Sequence, residues 1–425
     1  MAKAKKTTKT AAKESKSNAE DLALAFHKKM EQAARTHTKE LKVSLLNFEP
    51  PKGRNGAIPT NVLCVDLITG GGFPKHRLTT VSGDTSAGKT SLIQASMGPQ
   101  LKEGIRVNYN DLEGAADYSW MLKNGCDMNK YIDSKTLDYI RDFNSGDDAL
   151  RYMSRMMDDA VKFGAIDLPF LAAIYYYDSI PAGAPEALVE NDEHGAAPLL
   201  ALMLSKYIPL LRSKLHKSNS ALIMINQLRE NPRQKFGNPE YEPGGNAPDF
   251  YADMKIWMKC VGKPKNITLD DDHKIVPDDT KYFKAGGLNQ ELNPDGSIDT
   301  YRYTHVKTVK NRVFSPLKET YLRIWTSDST GQGQGIDSVW DTLRFYEEIG
   351  MCRFIKKDEV WLAKEPGGRM VEHDYFDLKA EILVHPDLRE QGAALLENGR
   401  AFEMYFERIK NNGTAWVKPD AEEEP

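Results

Sequence analysis

Cysteine is scarce in this chain: four residues in 425, at Cys64, Cys126, Cys260 and Cys352. They stand far apart, with no paired Cys or Cys/His spacing of the kind that holds zinc or builds a disulfide framework, and this usage fits a reducing cytosol. Long apolar runs are missing as well. The longest candidate, Phe170 to Tyr177, has the length of a buried strand, well short of the roughly eighteen residues that mark a membrane span, so no membrane partner is expected. Charge of one sign is also lacking. A formal net charge of −4 argues against a uniformly basic nucleic-acid binder, so any contact with DNA has to come from locally placed cations. No internal repeat is visible.

What is present divides the chain into segments. Residues 1–20 are lysine-rich without an apolar stretch, which excludes a secretory signal and reads as a disordered basic arm. Residues 21–56 hold a helix and a linker: Leu22, Leu24, Phe26, Met30, Ala33 and Leu41 recur among charges as one amphipathic face requires. That face needs a partner surface, either this protein's own core or a neighbouring subunit. Residues 57–337 alternate short β-rich runs (Leu78 to Ser82, Ile105 to Asn110, Phe170 to Asp178, Ala221 to Asn226) with helical stretches such as Pro198 to His216. This alternation predicts an α/β core with a mostly parallel sheet. An insert at 263–299, rich in Asp, Pro, Gly and Asn, reads as a loop or hairpin excursion. A small C-terminal α/β domain is expected over 338–417, with helices at Trp340 to Ile349 and Glu397 to Ile409, followed by an acidic tail at 418–425.

One motif carries chemistry by itself. Gly83-Asp84-Thr85-Ser86-Ala87-Gly88-Lys89-Thr90 fits G-x-x-x-x-G-K-[ST], directly after a predicted strand and directly before a helical run beginning at Ser91. The glycines let successive N–H groups face phosphate oxygens, and the helix N-terminus adds its positive end. Lys89 is expected to reach the β- and γ-phosphates, and the Thr90 hydroxyl to take a position on Mg2+. A ligand-free glycine turn is the competing reading. An Asp closing an apolar strand should complete the metal side, and Asp178 does so after three tyrosines, although a strand-ending Asp also serves as a helix cap. Hydrolysis of ATP further needs a carboxylate to orient water, and the end of the second strand offers the run Asn110-Asp111-Leu112-Glu113.

Three stretches together resemble the bacterial RecA recombinase family: Leu67 to Pro74 running into the phosphate loop; Glu113 to Trp120; and the block Ile225-Asn226-Gln227-Leu228-Arg229, Phe236 to Glu240, Gly244 to Ala247 and Phe250 to Ala252. The resemblance covers roughly Val62 to Trp325 apart from the insert, and implies a RecA-like P-loop ATPase core. It assigns Glu113 as the general base, Asp117 and Trp120 to the surroundings of the adenine, and Gln227 as the sensor of the γ-phosphate. The family completes its ATP site with two cations from the adjacent subunit of a filament. Lys310 and Arg312 match those positions, Arg312 departing from the more usual Lys. On bottom-up grounds alone the same residues could be a solvated carboxylate, a core Trp, a loop-capping amide and a solvated pair of cations.

The resemblance further implies that the loop after Gln227 lines single-stranded DNA. Arg229, Arg233 and Lys235 are suited to phosphates, Phe236 is apolar, and Gly244, Gly245 and Asn246 allow close backbone approach. Glu230, Glu240 and Glu242 offset that positive charge, and Pro232 stands where the family has an apolar wedge. The other family loop, around Leu188 to Pro198, is short and acidic. The expected function is thus ATP-dependent filament formation on single-stranded DNA, followed by pairing and strand exchange with homologous duplex, in a bacterial cytosol. Divergence from the usual bacterial sequence would suit a bacteriophage homologue. The alternatives are a RecA-fold motor or helicase, and a filament-forming mediator that uses ATP as a binding switch.

Overall fold

The computed structural model describes residues 56–114, 116, 118–123, 125–162, 173–190, 196–230, 240–261, 268–269, 275–276, 289–292, 298–327, 335–350, 352–355, 360–364, 370–374 and 387–410. The basic arm, the amphipathic helix expected over Asp21 to Leu41, the acidic tail and much of the 263–299 insert lie outside these residues, as do Asp117, Arg233, Lys235 and Phe236.

Six strands run parallel: β1 (Leu78–Gly83), β2 (Arg106–Asp111), β3 (Leu137–Ile140), β4 (Ala173–Asp178), β5 (Ser220–Gln227) and β6 (Met254–Val261). Their order across the sheet is β3-β2-β4-β5-β1-β6. Beyond β6 the sheet continues antiparallel through β7 (Asn289–Leu292), β8 (Ile298–Asn311), β9 (Glu319–Ser327) and β10 (Gly335–Ile336), with both β6 and β7 pairing to β8. The described parts of the insert include the antiparallel pair Thr268–Leu269 with Ile275–Val276, and β7 paired with the start of β8.

The central strands β4 and β5 are buried on both faces, which is why they read as runs of apolar residues rather than as an alternation. Successive side chains nevertheless go to opposite sides. Val81, Tyr109, Ile174, Tyr176, Ile223 and Ile225 join a core under α1 (Leu63–Thr69) and α2 (Lys89–Lys102). Leu78, Tyr175, Tyr177, Leu222 and Met224 join the core under α3 (Gly146–Lys162) and α4 (Ala196–Leu215). The tyrosines of β4 are compatible with this burial partly because the Tyr176 hydroxyl meets Ser96 Oγ at 2.7 Å, inside the first core. In α3 the apolar residues Ala149, Leu150, Met153 and Met157 recur at helical spacing, while Asp147 and Asp148 favour its N-terminus. Helix α4 begins two residues earlier than Pro198, because proline is accommodated in a first turn.

After the short helix α5 (Ala247–Tyr251) and the antiparallel strands comes α6 (Ser338–Glu348), whose N-terminus is capped by Asp337 accepting from the N–H groups of Val339 and Trp340. Asp341 of α6 is fully buried, and its carboxylate accepts from the N–H groups of Leu63 (2.9 Å) and Cys64 (3.0 Å), so it caps α1 from far along the chain. The helix expected over Glu397 to Ile409 is present as α8 (Arg400–Lys410), and a further helix not read from the sequence, α7 (Asp387–Glu397), precedes it. The chain breaks at Gly399, which takes a left-handed φ of 81°. The Trp361 segment is the middle strand of a three-stranded antiparallel sheet with Cys352–Ile355 and Met370–Asp374. Among the described residues no helix is long and apolar enough to cross a membrane.

Candidate nucleotide and nucleic-acid site

The phosphate loop lies where a parallel sheet places ligands, at the C-terminal ends of the strands. Gly83 closes β1 beside Met258 of β6 and Gln227 of β5. A side chain at Gly83 would come within 1.9 Å of the Met258 carbonyl, and that carbonyl accepts from the Asp84 N–H at 3.1 Å, so the first glycine of the motif is required by the neighbouring strand as well as by the turn. Ser86 and Gly88 take positive φ values of 62° and 85°, curling the loop into the N-terminus of α2. Thr85 and Ser86 are exposed, Ala87 and Ser91 are buried, and the Asp84 carboxylate accepts from the Cys260 N–H at 3.1 Å. The Lys89 amine donates to the carbonyls of Gly83 (3.0 Å) and Asp84 (2.6 Å), within the loop it would share with phosphate. Burial lowers its pKa, opposed by the negative charges of Asp178, Glu113 and Asp84.

Asp178 ends β4 next to this loop and is almost fully buried. Its Oδ2 accepts from the Thr90 hydroxyl (3.0 Å) and from Tyr109 (3.2 Å), whereas Oδ1 is buried with no hydrogen-bond partner among the described residues. Burial pushes its pKa up to about 7, aided by Glu113 and Asp111 and opposed by the Thr90 and Tyr109 hydrogen bonds. An unsatisfied buried carboxylate oxygen beside a threonine hydroxyl fits a hard divalent cation. Among the described residues no group of three or more His, Cys, Asp or Glu could hold a metal ion.

Glu113 is exposed at the lip of the site. Its N–H and that of Leu112 both donate to the Asp178 carbonyl, at 3.1 and 2.7 Å. The loop that follows is organised by Asp111, a residue not singled out from the sequence: its carboxylate accepts from the N–H groups of Gly114 (2.9 Å) and Ala116 (3.1 Å) and from the Tyr139 hydroxyl (2.9 Å). Trp120 falls in the short helix Tyr118–Lys123.

Gln227 stands half-buried at the end of β5, one strand from Gly83, and the following Leu228 N–H donates to the Gly83 carbonyl at 3.0 Å. The chain then turns directly into Arg229–Glu230, which pairs antiparallel with Glu240–Tyr241 and closes the base of the loop. Arg229 is exposed. The return strand is tied down by three contacts that sequence reasoning missed. The Asn226 amide donates to the Pro243 carbonyl at 2.9 Å, and Glu242 accepts from Trp257 Nε1 (2.8 Å) and pairs with Lys255 (3.0 Å). Gly244 (φ 100°) is buried, and a side chain there would meet Leu204 Cδ1 at 2.5 Å; one at Gly245 (φ 70°) would meet Ala201 Cβ at 2.7 Å. Both glycines therefore let the turn seat against α4, while Gly245 and Asn246 remain exposed.

Lys310 and Arg312 are not at their own phosphate loop. Lys310 pairs with Lys255 and, through it, with Thr80, three residues before Gly83. That is ~10 Å back along the strands and two strands across, beyond the reach of a lysine side chain. Instead the Lys310 amine donates to the carbonyls of Asp249 (2.7 Å) and Phe250 (3.3 Å), and Arg312 lies 3.4 Å from Asp253. Burial, followed by the charge of Arg312, lowers the pKa of Lys310.

The sequence model of the RecA N-terminal domain matches residues 25–281. Over 342 residues the chain is 29% identical to the Protein RecA of Thermus aquaticus, covering 79% of this chain and 84% of that one. Over 369 residues it is 28% identical to the Protein RecA of Aquifex aeolicus, covering 83% and 90%. Among solved structures, the RadB recombinase superposes with a TM-score of 0.40 at 18% identity, covering 65% of this chain and 98% of that one, too loosely to add to the assignment.

Proposed function

Because this chain belongs to the RecA family of recombination ATPases, we propose that it assembles as a helical filament on single-stranded DNA. In this reading it pairs that strand with homologous duplex and exchanges strands, with ATP hydrolysis stimulated by DNA. The observation that supports this best is the juxtaposition at Gly83: the triphosphate loop and the base of the Arg229 hairpin share one pair of strand ends, joined by the Leu228 N–H to the Gly83 carbonyl.

In this reading Gly83 to Thr90 wraps the phosphates with backbone N–H groups, and Lys89 leaves the two carbonyls it now contacts to meet the β- and γ-phosphates. Thr90 and Asp178 would hold Mg2+, which supplies charge neutralisation on the phosphate oxygens. Glu113 orients the attacking water from the exposed lip. Gln227, half-buried between phosphate loop and hairpin, reports the γ-phosphate to Arg229 and the turn at Gly244 to Asn246, and Asp117 and Trp120 flank the adenine. Lys310 and Arg312, remote from their own loop, complete the site of the adjacent subunit. The segment at 21–56 would provide the oligomerisation helix, 338–417 a C-terminal domain, and the cytosol the setting.

The test is ATPase activity with and without single-stranded DNA, followed by strand exchange and fork unwinding on the same preparation. DNA-stimulated ATPase with strand exchange supports the proposal, whereas ATPase indifferent to DNA, or directional unwinding, refutes it. Arg229→Ala should weaken DNA binding across sequences and reduce the salt slope by about one. An unchanged salt-dependent affinity would remove Arg229 from the DNA contact.

A further inference from the structure

Three arginines converge on one carboxylate. Asp253 lies just before β6, its backbone N–H donating to the Leu78 carbonyl, with a side chain 2% exposed. Its Oδ1 lies 3.3 Å from Arg77, 3.1 Å from Arg212 and 3.4 Å from Arg312. These cations come from three separate elements: the entry to β1, the last turn of α4 and the exit from β8. One cation would neutralise the carboxylate. Three leave this cluster two positive charges in excess and crowd like-charged groups around a single acceptor, an arrangement that charge matching alone does not call for.

Arg312 is the most exposed of the three, its side chain 48% accessible. It commits only Nη1 to Asp253, and among the described residues its other guanidinium nitrogens have no partner. Its backbone N–H also donates to the Asp253 carbonyl at 3.0 Å, so main chain and side chain are fixed to the same residue. A planar fork can divide in this way, one edge on a carboxylate and the rest offered outward, which the single ammonium of a lysine does far less well.

Resting on the reading that Arg312 acts on the adjacent subunit's nucleotide, we propose that Asp253 is a positioning residue. It pins one nitrogen of Arg312 so that the remaining fork is aimed at the neighbour's γ-phosphate. The excess positive charge of the cluster is what an incoming phosphate would neutralise. The pairing also gives a physical reason for arginine rather than lysine at 312.

Mixed filaments test this. Glu113→Gln subunits should bind nucleotide without hydrolysing it, yet carry an intact Asp253–Arg312 pair to offer a neighbour. Mixing them with Arg312→Ala subunits should restore DNA-stimulated ATPase that neither protein has alone. Asp253→Asn should lower kcat on the order of tenfold, with KM for ATP moved less than about threefold. It should keep its melting temperature, be rescued by the same mixing, and add nothing to the loss in Arg312→Ala. Asp253→Glu keeps the charge that the arginines need while displacing the fork by about one methylene. It should behave alike, and it serves if the Asn variant does not fold. Failure of Arg312→Ala to be rescued would refute the trans-cation reading itself. Rescue of Arg312→Ala, together with Asp253 variants that keep full kcat, lose activity irretrievably on mixing, or all fail to fold, would overturn the positioning role.

Discussion

If Asp178 holds Mg2+ as proposed, its buried carboxylate should make nucleotide binding depend on pH in a direction that can be worked out. Its pKa is pushed up to about 7, mainly by burial. The charged form is what Mg2+ requires, so below pH 7 binding of Mg2+·nucleotide must expel a proton. Affinity should then fall by up to about tenfold per pH unit below 7 and level off above it, giving roughly a tenfold difference between pH 8 and pH 6. Stability of the ligand-free protein runs the other way. A carboxyl whose folded pKa exceeds its unfolded value favours the fold most at pH below the unfolded value, and that contribution is lost as pH rises through the folded pKa near 7. Asp178→Asn cannot ionise and should remove both dependences. The assay is calorimetric titration of a non-hydrolysable ATP analogue with Mg2+ at pH 6, 7 and 8, in two buffers of different ionisation enthalpy so that proton release is counted. Because nucleotide phosphate itself titrates near pH 6, the comparison that decides is wild type minus Asp178→Asn. Equal pH slopes in the two proteins, or no proton released by wild type at pH 6, would refute the reasoning.

Two other substitutions test the proposed role of Glu113 and the packing of Gly244. Glu113→Gln should reduce turnover by on the order of 10²-fold or more while leaving nucleotide affinity near normal, because the residue sits exposed at the lip and contacts the site through its backbone. Parallel losses in both would make it a binding residue. Gly244→Ala should lower the melting temperature through its φ of 100° and the 2.5 Å approach to Leu204, costing about 1–3 kcal/mol. Adding Leu204→Ala should relieve the clash but not the backbone strain; an unaltered melting temperature in Gly244→Ala would mean that the turn is not seated on α4.

The nucleotide loop was legible because its whole requirement is local: eight consecutive residues, a strand before and a helix after. Asp178 was legible for the same reason, as the last residue of a strand. The tyrosines ahead of it gave no hint of which would find a partner, since Ser96, eighty positions away, supplies the one for Tyr176. The surroundings of Arg312 were illegible. What faces Asp253 depends on the antiparallel register of β6 on β8, with a shift between Lys255 and Ile256, and on contacts reaching back 41 positions to Arg212 and 176 to Arg77. The glycines of the Gly244–Asn246 turn were read as room for DNA, whereas the structure shows Gly244 taken up by α4, a packing demand with no local signature. The helix Asp387–Glu397 was not read from the sequence, although Gly399 after it marks a stop with a left-handed φ of 81°.

The cap that Asp341 places on α1 has a consequence for how the protein is made. Leu63 and Asp341 are 278 positions apart, so the first helix of the core is finished by a residue translated long after it. At roughly 5–20 residues per second, a ribosome takes about 15–55 seconds to cover that distance. Throughout that interval α1 lacks its N-terminal partner and the apolar surface it shares with α6 is uncovered. The nascent core should therefore keep that surface exposed until α6 emerges, and a chain cut before residue 338 should persist in that state rather than fold as a smaller unit.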